Sequence, residues 1–315
     1  MSRGPIVLVG SVSDDHVAAL RESLDEVGAA PVILDSLAFP ASPRLALGAE
    51  PDAILLDGKD VGHPSAVYLR SLYLSPLAFG VDMTREMSED WRTTLVILRE
   101  KAEVLVGVMR RWEAMGIPIY NALSASDAVR KPFQMAELAQ RGLPVPETLW
   151  TNDPEAVRRF AEGRRIAYKP VAGGAATREL SAADLDETKL ARLANAPVTF
   201  QELLPGRDLR VFVLDGRVVA AFHIHSQALD YRQNEEKVES IALAPAVEDI
   251  CLRAALATGL RFTGMDLKEA SNGVLKILEL NPSPMFLGFD HLGGTNVRGA
   301  LVAALAGHAG IRPSA

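Results

Sequence analysis

The sequence predicts an α/β protein of two or three lobes, the first built on a small parallel sheet. Three observations point there. A strand, helix, strand cadence occupies the first ~120 residues. From Tyr120 the texture changes to strands joined by tight turns. At 315 residues the chain is long for one core.

In order along the chain, Ile6 to Val9 reads as a buried strand. Asp14 to Val27 reads as a helix, with Ser13 as N-cap and Gly28 past its end. Short strands follow at Val32 to Leu34 and Ala53 to Leu56, then a strand over Ala66 to Tyr73 with Tyr68 and Arg70 on one face. A long helix spans Glu86 to Met115, stopped by Gly116 and Pro118. Helices are expected over Val129 to Gln140, Pro154 to Glu162, Val247 to Thr258 and Asn296 to Leu305. Strands are expected over Ile166 to Pro170, Val198 to Leu203, Leu209 to Leu214 and Val218 to Ser226. Asp215-Gly216 joins the last two as a hairpin signal. A second hairpin pairs Phe262 to Leu267 with the run through Asn281, turning at Ser271-Asn-Gly273.

Composition narrows the function. Apolar and charged contents of 48% and 23% are those of a soluble globular protein. A net charge of −7 without a basic block argues against nucleic acid as partner. The single cysteine, Cys251, excludes a disulfide framework, fits a reducing cytoplasm, and reads as a small core residue. The first apolar run is too short for a signal peptide, and no run reaches the ~18 residues a membrane span requires.

The most informative stretch is Lys276 to Pro284 with Asp266 upstream. Strand periodicity puts Glu279 and Asn281 on one face, and the hairpin brings Asp266 to them. Two carboxylates and an amide oxygen form a hard donor set suited to Mg²⁺. The competing reading is a polar strand face with Glu279 paired to a lysine. Lys169 precedes Gly173-Gly174, a loop whose backbone can approach an anion closely; a plain surface loop is the alternative. Glu202 stands at a strand end, while Asp208 and Arg210 share strand parity and can orient a sugar hydroxyl and a phosphate, or form a surface ion pair. Arg232 and Asn234 can reach a phosphate or a carboxylate, or lie in a solvated loop. His223 and His225 alternate on one strand face. His-x-His can ligate zinc, but no third soft ligand is near in sequence, so a substrate or phosphate contact is the preferred reading.

The order of these signals resembles the ATP-grasp superfamily of carboxylate–amine ligases, and within it the RimK-like branch, over roughly residues 120 to 305. "GMDLKEASNGVLKILELNPSPMF" is the most specific part, and "YNALSASDAVRKPFQMAELAQRGLPVPETL" resembles the family's entry segment, with its lysine at Lys131. The resemblance implies an N-terminal parallel pre-ATP-grasp α/β domain (1–119) followed by a two-subdomain ATP-grasp fold: a small lid subdomain (120–200) and a C-terminal subdomain with the metal site (201–315). It implies an ADP-forming enzyme that joins a carboxylate to an amine through an acyl phosphate. Lys131 and Lys169 would hold the α- and β-phosphates, with the Gly173-Gly174 loop closing above. Gln201, Glu202 and Leu204 would line the adenine pocket, and Asp208 would meet the ribose. Asp266, Glu279 and Asn281 would hold two Mg²⁺, for which Mn²⁺ can substitute. Arg210, Arg232 and Asn234 would act on the transferred phosphoryl group or the acceptor. The expected substrates are a small-molecule carboxylate and an amine, for example glutamate added to a metabolite or cofactor precursor. A peptide-modifying ligase and a non-catalytic ATP-binding regulator are the alternatives. A homo-oligomer is also implied.

Two departures bear on the acceptor. The loop after Lys169 is short and continues Ala-Ala-Thr-Arg, and such loops occur in the peptide-modifying branch that makes side-chain macrocycles, which "SAVYLRSLYLSP" also resembles. His223 stands where RimK-like ligases commonly carry an arginine.

Overall fold

The chain, seen in a computed structural model, is described over residues 4–77, 81–173, 175–226, 237–270 and 272–311. The first lobe contains β1 (Ile6–Gly10), α1 (Asp15–Glu26), β2 (Val32–Asp35), β3 (Leu45–Leu47), β4 (Ile54–Leu56), β5 (Lys59–Asp60), β6 (Ala66–Leu69), α2 (Thr84–Ala114) and β7 (Ile119–Tyr120). Strands in the order β2-β1-β6-β7 form the expected parallel sheet. β1 is buried along its whole length, as a strand with both faces covered must be. β3, β4 and β5 form a separate antiparallel sheet.

Three local expectations need correction. The cap of α1 is Asp14 rather than Ser13: its carboxylate accepts from the His16 and Val17 N–H groups. The strand expected through Tyr73 stops at Leu69, because Arg70 is drawn toward Asp14 and Ser283 and Tyr73 takes a left-handed backbone (φ 48°). α2 breaks at Asp90 (φ −151°, ψ 80°), whose carboxylate caps the next turn by accepting from the Thr93 N–H and hydroxyl.

Next come α3 (Leu123–Ala128), α4 (Lys131–Gln140), β8 (Thr148–Thr151), α5 (Pro154–Ala161), β9 (Ile166–Pro170), β10 (Arg178–Glu179), α6 (Glu187–Leu190) and β11 (Val198–Glu202). β10-β9-β11-β8 is an antiparallel sheet over a small core of Val157, Ile166, Leu190, Leu193 and Phe200. β11 runs through Glu202, so the boundary expected after residue 200 falls inside a strand. α4, expected with this lid, packs its Met135 and Leu138 against the next sheet instead. Gln134 anchors it there by exchanging hydrogen bonds with both backbone groups of Leu280.

The large sheet holds β12 (Arg207–Leu214), β13 (Arg217–His225), β14 (Lys237–Ser240), β15 (Phe262–Glu269) and β16 (Leu275–Asn281), ordered β14-β13-β12-β15-β16 and antiparallel throughout. The helices are α7 (Pro245–Thr258), α8 (Leu287–Gly293) and α9 (Val297–His308). Both expected hairpins form. Asp215 and Gly216 have φ of 45° and 73°, the pair of positive values a tight hairpin turn demands. Period-two alternation splits the sheet into two faces. Val211, Ala221, Met265 and Ile277 face α4 and α7. Phe212, Phe222, Phe262 and Phe286 face the other way, into one core with Leu8, Leu20 and Tyr68 of the first lobe and Leu301 and Leu305 of α9. The lobes therefore share an apolar interior, and one end of this second face carries the polar cluster described below. No helix among the described residues is long and apolar enough to cross a membrane.

Asn121 joins first lobe to large sheet. Its buried amide accepts from the Arg261 and Phe262 N–H groups and donates to the Phe262 and Pro282 carbonyls. Asn121→Ala is expected to cost about 3 kcal/mol or more, because each buried group left unpaired costs about 1–3 kcal/mol; urea denaturation measures it.

Candidate active site

The polar cluster follows from strand register. Asp266 on β15 pairs directly with Glu279 on β16 and with Arg210 on β12, so the three share a face. Asn281, two residues past Glu279, keeps that parity. Its amide nitrogen lies 3.3 Å from Asp266 Oδ2 and 3.4 Å from Glu279 Oε1. Amide orientation is interchangeable by a half-turn of the side chain, so Oδ1 can face the same point. Two carboxylates and an amide oxygen converging in this way are the donors a hard divalent cation takes.

Cations surround the trio. Arg210 Nη1 donates to Asp266 Oδ1 at 2.7 Å, with side chains only 6% and 14% exposed. Its guanidinium lies over Phe212 and Phe289, 5.2 and 5.7 Å from the ring centres. Gly264, across the sheet, leaves the room: a Cβ there would stand 2.4 Å from Arg210 Nη2 and 2.7 Å from Pro284 Cβ. Gly264→Ala is accordingly expected to destabilise by about 1–3 kcal/mol through overpacking, read in a denaturant titration, with Arg210 displaced from Asp266.

Lys131, the first residue of α4, places Nζ 2.7 Å from Glu279 Oε2. The pairing of Glu279 with a lysine, considered from the sequence as a competing reading, thus exists, but inside the cluster rather than on a solvated face. Lys169 projects from β9, and the loop after it returns at Gly173, whose φ of 87° suits glycine and whose Cβ position lies 4.0 Å from Lys131 Nζ. Burial by itself would raise the Glu279 pKa; Lys131 above all, with Lys169 and Arg210, holds it below the usual carboxylate range. The result is a compact array of acidic donors ringed by cations.

At the β11 side, Asp208 is held by Lys268 at 2.9 Å, both nearly buried. Gln201 is buried and donates to Thr148 Oγ1. Glu202 ends β11 with its carboxylate accepting from the Glu147 N–H at 2.9 Å and forming an ion pair with Lys276 at 3.8 Å. Leu204, half-buried, follows. Gly174, Arg232 and Asn234 lie outside the described residues. His223 faces away from the trio: it pairs with Leu209, on the face opposite Arg210, and His225 shares its side. The sheet stands between this pair and the carboxylates, against a shared phosphate contact. Phe286 is buried against His16 and Phe262. Cys251 is buried in α7 and its thiol is pushed by burial up to about 12, which suits a packing role.

Three contributors escaped the sequence reading. Lys268 keeps the parity of Asp266 and was findable by periodicity. Gln134 and Arg70 were not, since their partners Leu280 and Ser283 are far along the chain.

Known proteins resemble this chain in family and fold. A family model described as the RimK-like ATP-grasp domain matches residues 128–305. A protein named probable alpha-L-glutamate ligase 1, from Shewanella amazonensis, is 30% identical over 213 residues, 62% of this chain and 69% of its own. The solved structure of the ATP-grasp ligase PsnB, complexed with a phosphomimetic variant of minimal precursor, Mg and ADP, is 46% identical over 98% of this chain and 100% of its own, with a TM-score of 0.92. The macrocyclase MdnC of Microcystis aeruginosa, at 21% identity over 96% of this chain and 99% of its own with a TM-score of 0.78, shares the fold.

Proposed function

Since the chain belongs to the RimK-like ATP-grasp family of ATP-dependent carboxylate–amine ligases, we propose that it activates a side-chain carboxylate of a precursor peptide and joins it to a nucleophile of that peptide, with release of ADP and phosphate. The observation that carries the peptide reading is the reach of the likeness. PsnB, described in complex with precursor peptide, matches across 98% of this chain, first lobe included, whereas the likeness to the glutamate ligase covers 62%. The small-molecule substrates expected from the sequence become the second reading.

The cluster supports the chemistry. Asp266, Glu279 and Asn281 would hold the magnesium, as two ions in our reading. Bound ATP and magnesium supply the phosphoryl group and charge neutralisation at its oxygens. Lys131 and Lys169 would bind the α- and β-phosphates, Lys131 exchanging its carboxylate partner for them. Gln201, Glu202 and Leu204 would border the adenine and Asp208 the ribose. Arg210, fixed by Asp266 and two aromatic faces, would steady the phosphoryl oxygens while a substrate carboxylate attacks the γ-phosphorus, and Arg232 and Asn234 would serve the acceptor. The incoming nucleophile then attacks the acyl carbon, the C–O bond to phosphate breaks with release of inorganic phosphate, and the nucleophile's proton passes to solvent. Closure at Gly173 would keep water from that step.

The test is mass spectrometry of a candidate precursor peptide incubated with the protein, ATP and Mg²⁺. Loss of one water per ADP formed is expected. Gain of a glutamate residue would instead favour the amino-acid-adding reading, and ATP binding without turnover on any acceptor the regulator.

A further inference from the structure

Strand pairing completes a constellation that the sequence left one member short. His223 and His225 stand on one face of β13 with ring centres 3.9 Å apart. β14 returns antiparallel and sets Glu239 opposite His223. Glu239 Oε2 lies 3.1 Å from His225 Nε2. One donor atom from each of the three residues falls within 4.8 Å of the others, the only such metal-ligating group found among the described residues. Donors around a tetrahedral zinc stand about 3.3 Å apart, given bond lengths of about 2.0–2.1 Å. Small side-chain rotations close that difference, and the His225 and Glu239 side chains, 37% and 49% exposed, have room to make them.

We propose that His223, His225 and Glu239 form a site for a borderline divalent cation such as Zn²⁺, on the face of the large sheet opposite Asp266 and Glu279. The donor set decides the class of ion. Imidazole favours Zn²⁺, Ni²⁺ or Cu²⁺ over Mg²⁺, whereas the carboxylate and amide oxygens across the sheet favour Mg²⁺. Three protein ligands leave one position for water or an outside donor. The ion would join the end of β13 to β14, a strand of four residues at the edge of the sheet that pairs with β13. Lys237, 3.4 Å from Glu239 Oε2, is the cation it would displace.

The experiment uses the full chain, stripped by chelator and returned to buffer with millimolar Mg²⁺, which fills hard-oxygen sites. Zn²⁺ is titrated against a competing chromogenic chelator. One saturable Zn²⁺ per chain is expected, weakened by more than about 10-fold, a loss typical even of an outer-shell partner, in both His225→Ala and Glu239→Gln. A rise in melting temperature with Zn²⁺ should accompany it in the wild type and vanish in both variants. No saturable binding in the presence of Mg²⁺, or binding undiminished in the two variants, overturns the proposal. Glu239→Gln keeps shape and hydrogen-bonding capacity, so its result does not depend on tolerance of the alanine variant.

Discussion

Glu279→Gln is expected to lower acceptor-dependent ADP release by about 10²–10³-fold, the cost typical of removing one preorganised electrostatic contact at a reacting centre. Glutamine keeps the volume and one acceptor oxygen, so packing around Asn281 survives. What goes is a charged donor of the proposed metal site and the 2.7 Å partner of Lys131. The lysine is then unpaired beside Lys169 and Arg210. The assay is coupled ADP detection with and without acceptor, and a melting curve shows that the variant is folded. Retention of full activity would remove Glu279 from the metal site. Protonation adds a control. The wild-type carboxyl is held below its ordinary range by the surrounding cations, so it stays ionised throughout neutral pH. An acid limb of the activity profile at neutral pH belongs to another group.

Arg70→Met is expected to cost about 3–5 kcal/mol of stability, the range for breaking a buried charge pair, and to slow catalysis as well. Arg70 and Asp14 are 8% and 12% exposed and 2.9 Å apart. Arg70 also donates to the carbonyl and hydroxyl of Ser283, whose hydroxyl donates back to the Arg70 carbonyl. Ser283 is two residues beyond Asn281, so the first lobe grips the end of the strand that carries the candidate metal donors. Arg70 is a positioning residue in this account: kcat should fall while the affinity for ATP holds. Asp14 supplies the pH arm. Burial by itself would raise its pKa, but the hydrogen bond from His16 and the Arg70 charge hold it far below the usual range. A depressed carboxyl contributes stability that is fully present above its unfolded value of ~3.9 and is lost as pH falls through the folded value. The advantage of the wild type over Asp14→Asn should therefore shrink below pH ~4 in chemical denaturation, and the double variant should cost less than the two single changes added.

Much of the site was legible as pattern. The parity of Glu279 and Asn281, the hairpin that returns Asp266 to them, and the turn at Asp215-Gly216 are local properties, each set within a few residues by strand periodicity and left-handed turn chemistry. The α1 cap was misread by one residue because Ser13 and Asp14 are both good caps, and only backbone geometry chooses between them. The strand through Tyr73 was overextended because its break comes from Arg70 being drawn to Ser283, which stands 213 residues away.

The sequence by itself determined which side chains share a face and in what order the charged motifs arrive, because alternation and turn preference act over a handful of residues. Tertiary structure alone decided their partners: Lys131 on Glu279, Arg210 on Asp266, Arg70 on Ser283, Glu239 beside the two histidines. It also decided that the histidines stand on the far side of the sheet from the carboxylates. Those outcomes depend on strand register and on the core shared between lobes. Both are fixed by burial of apolar surface contributed from distant parts of the chain, which no local spacing encodes.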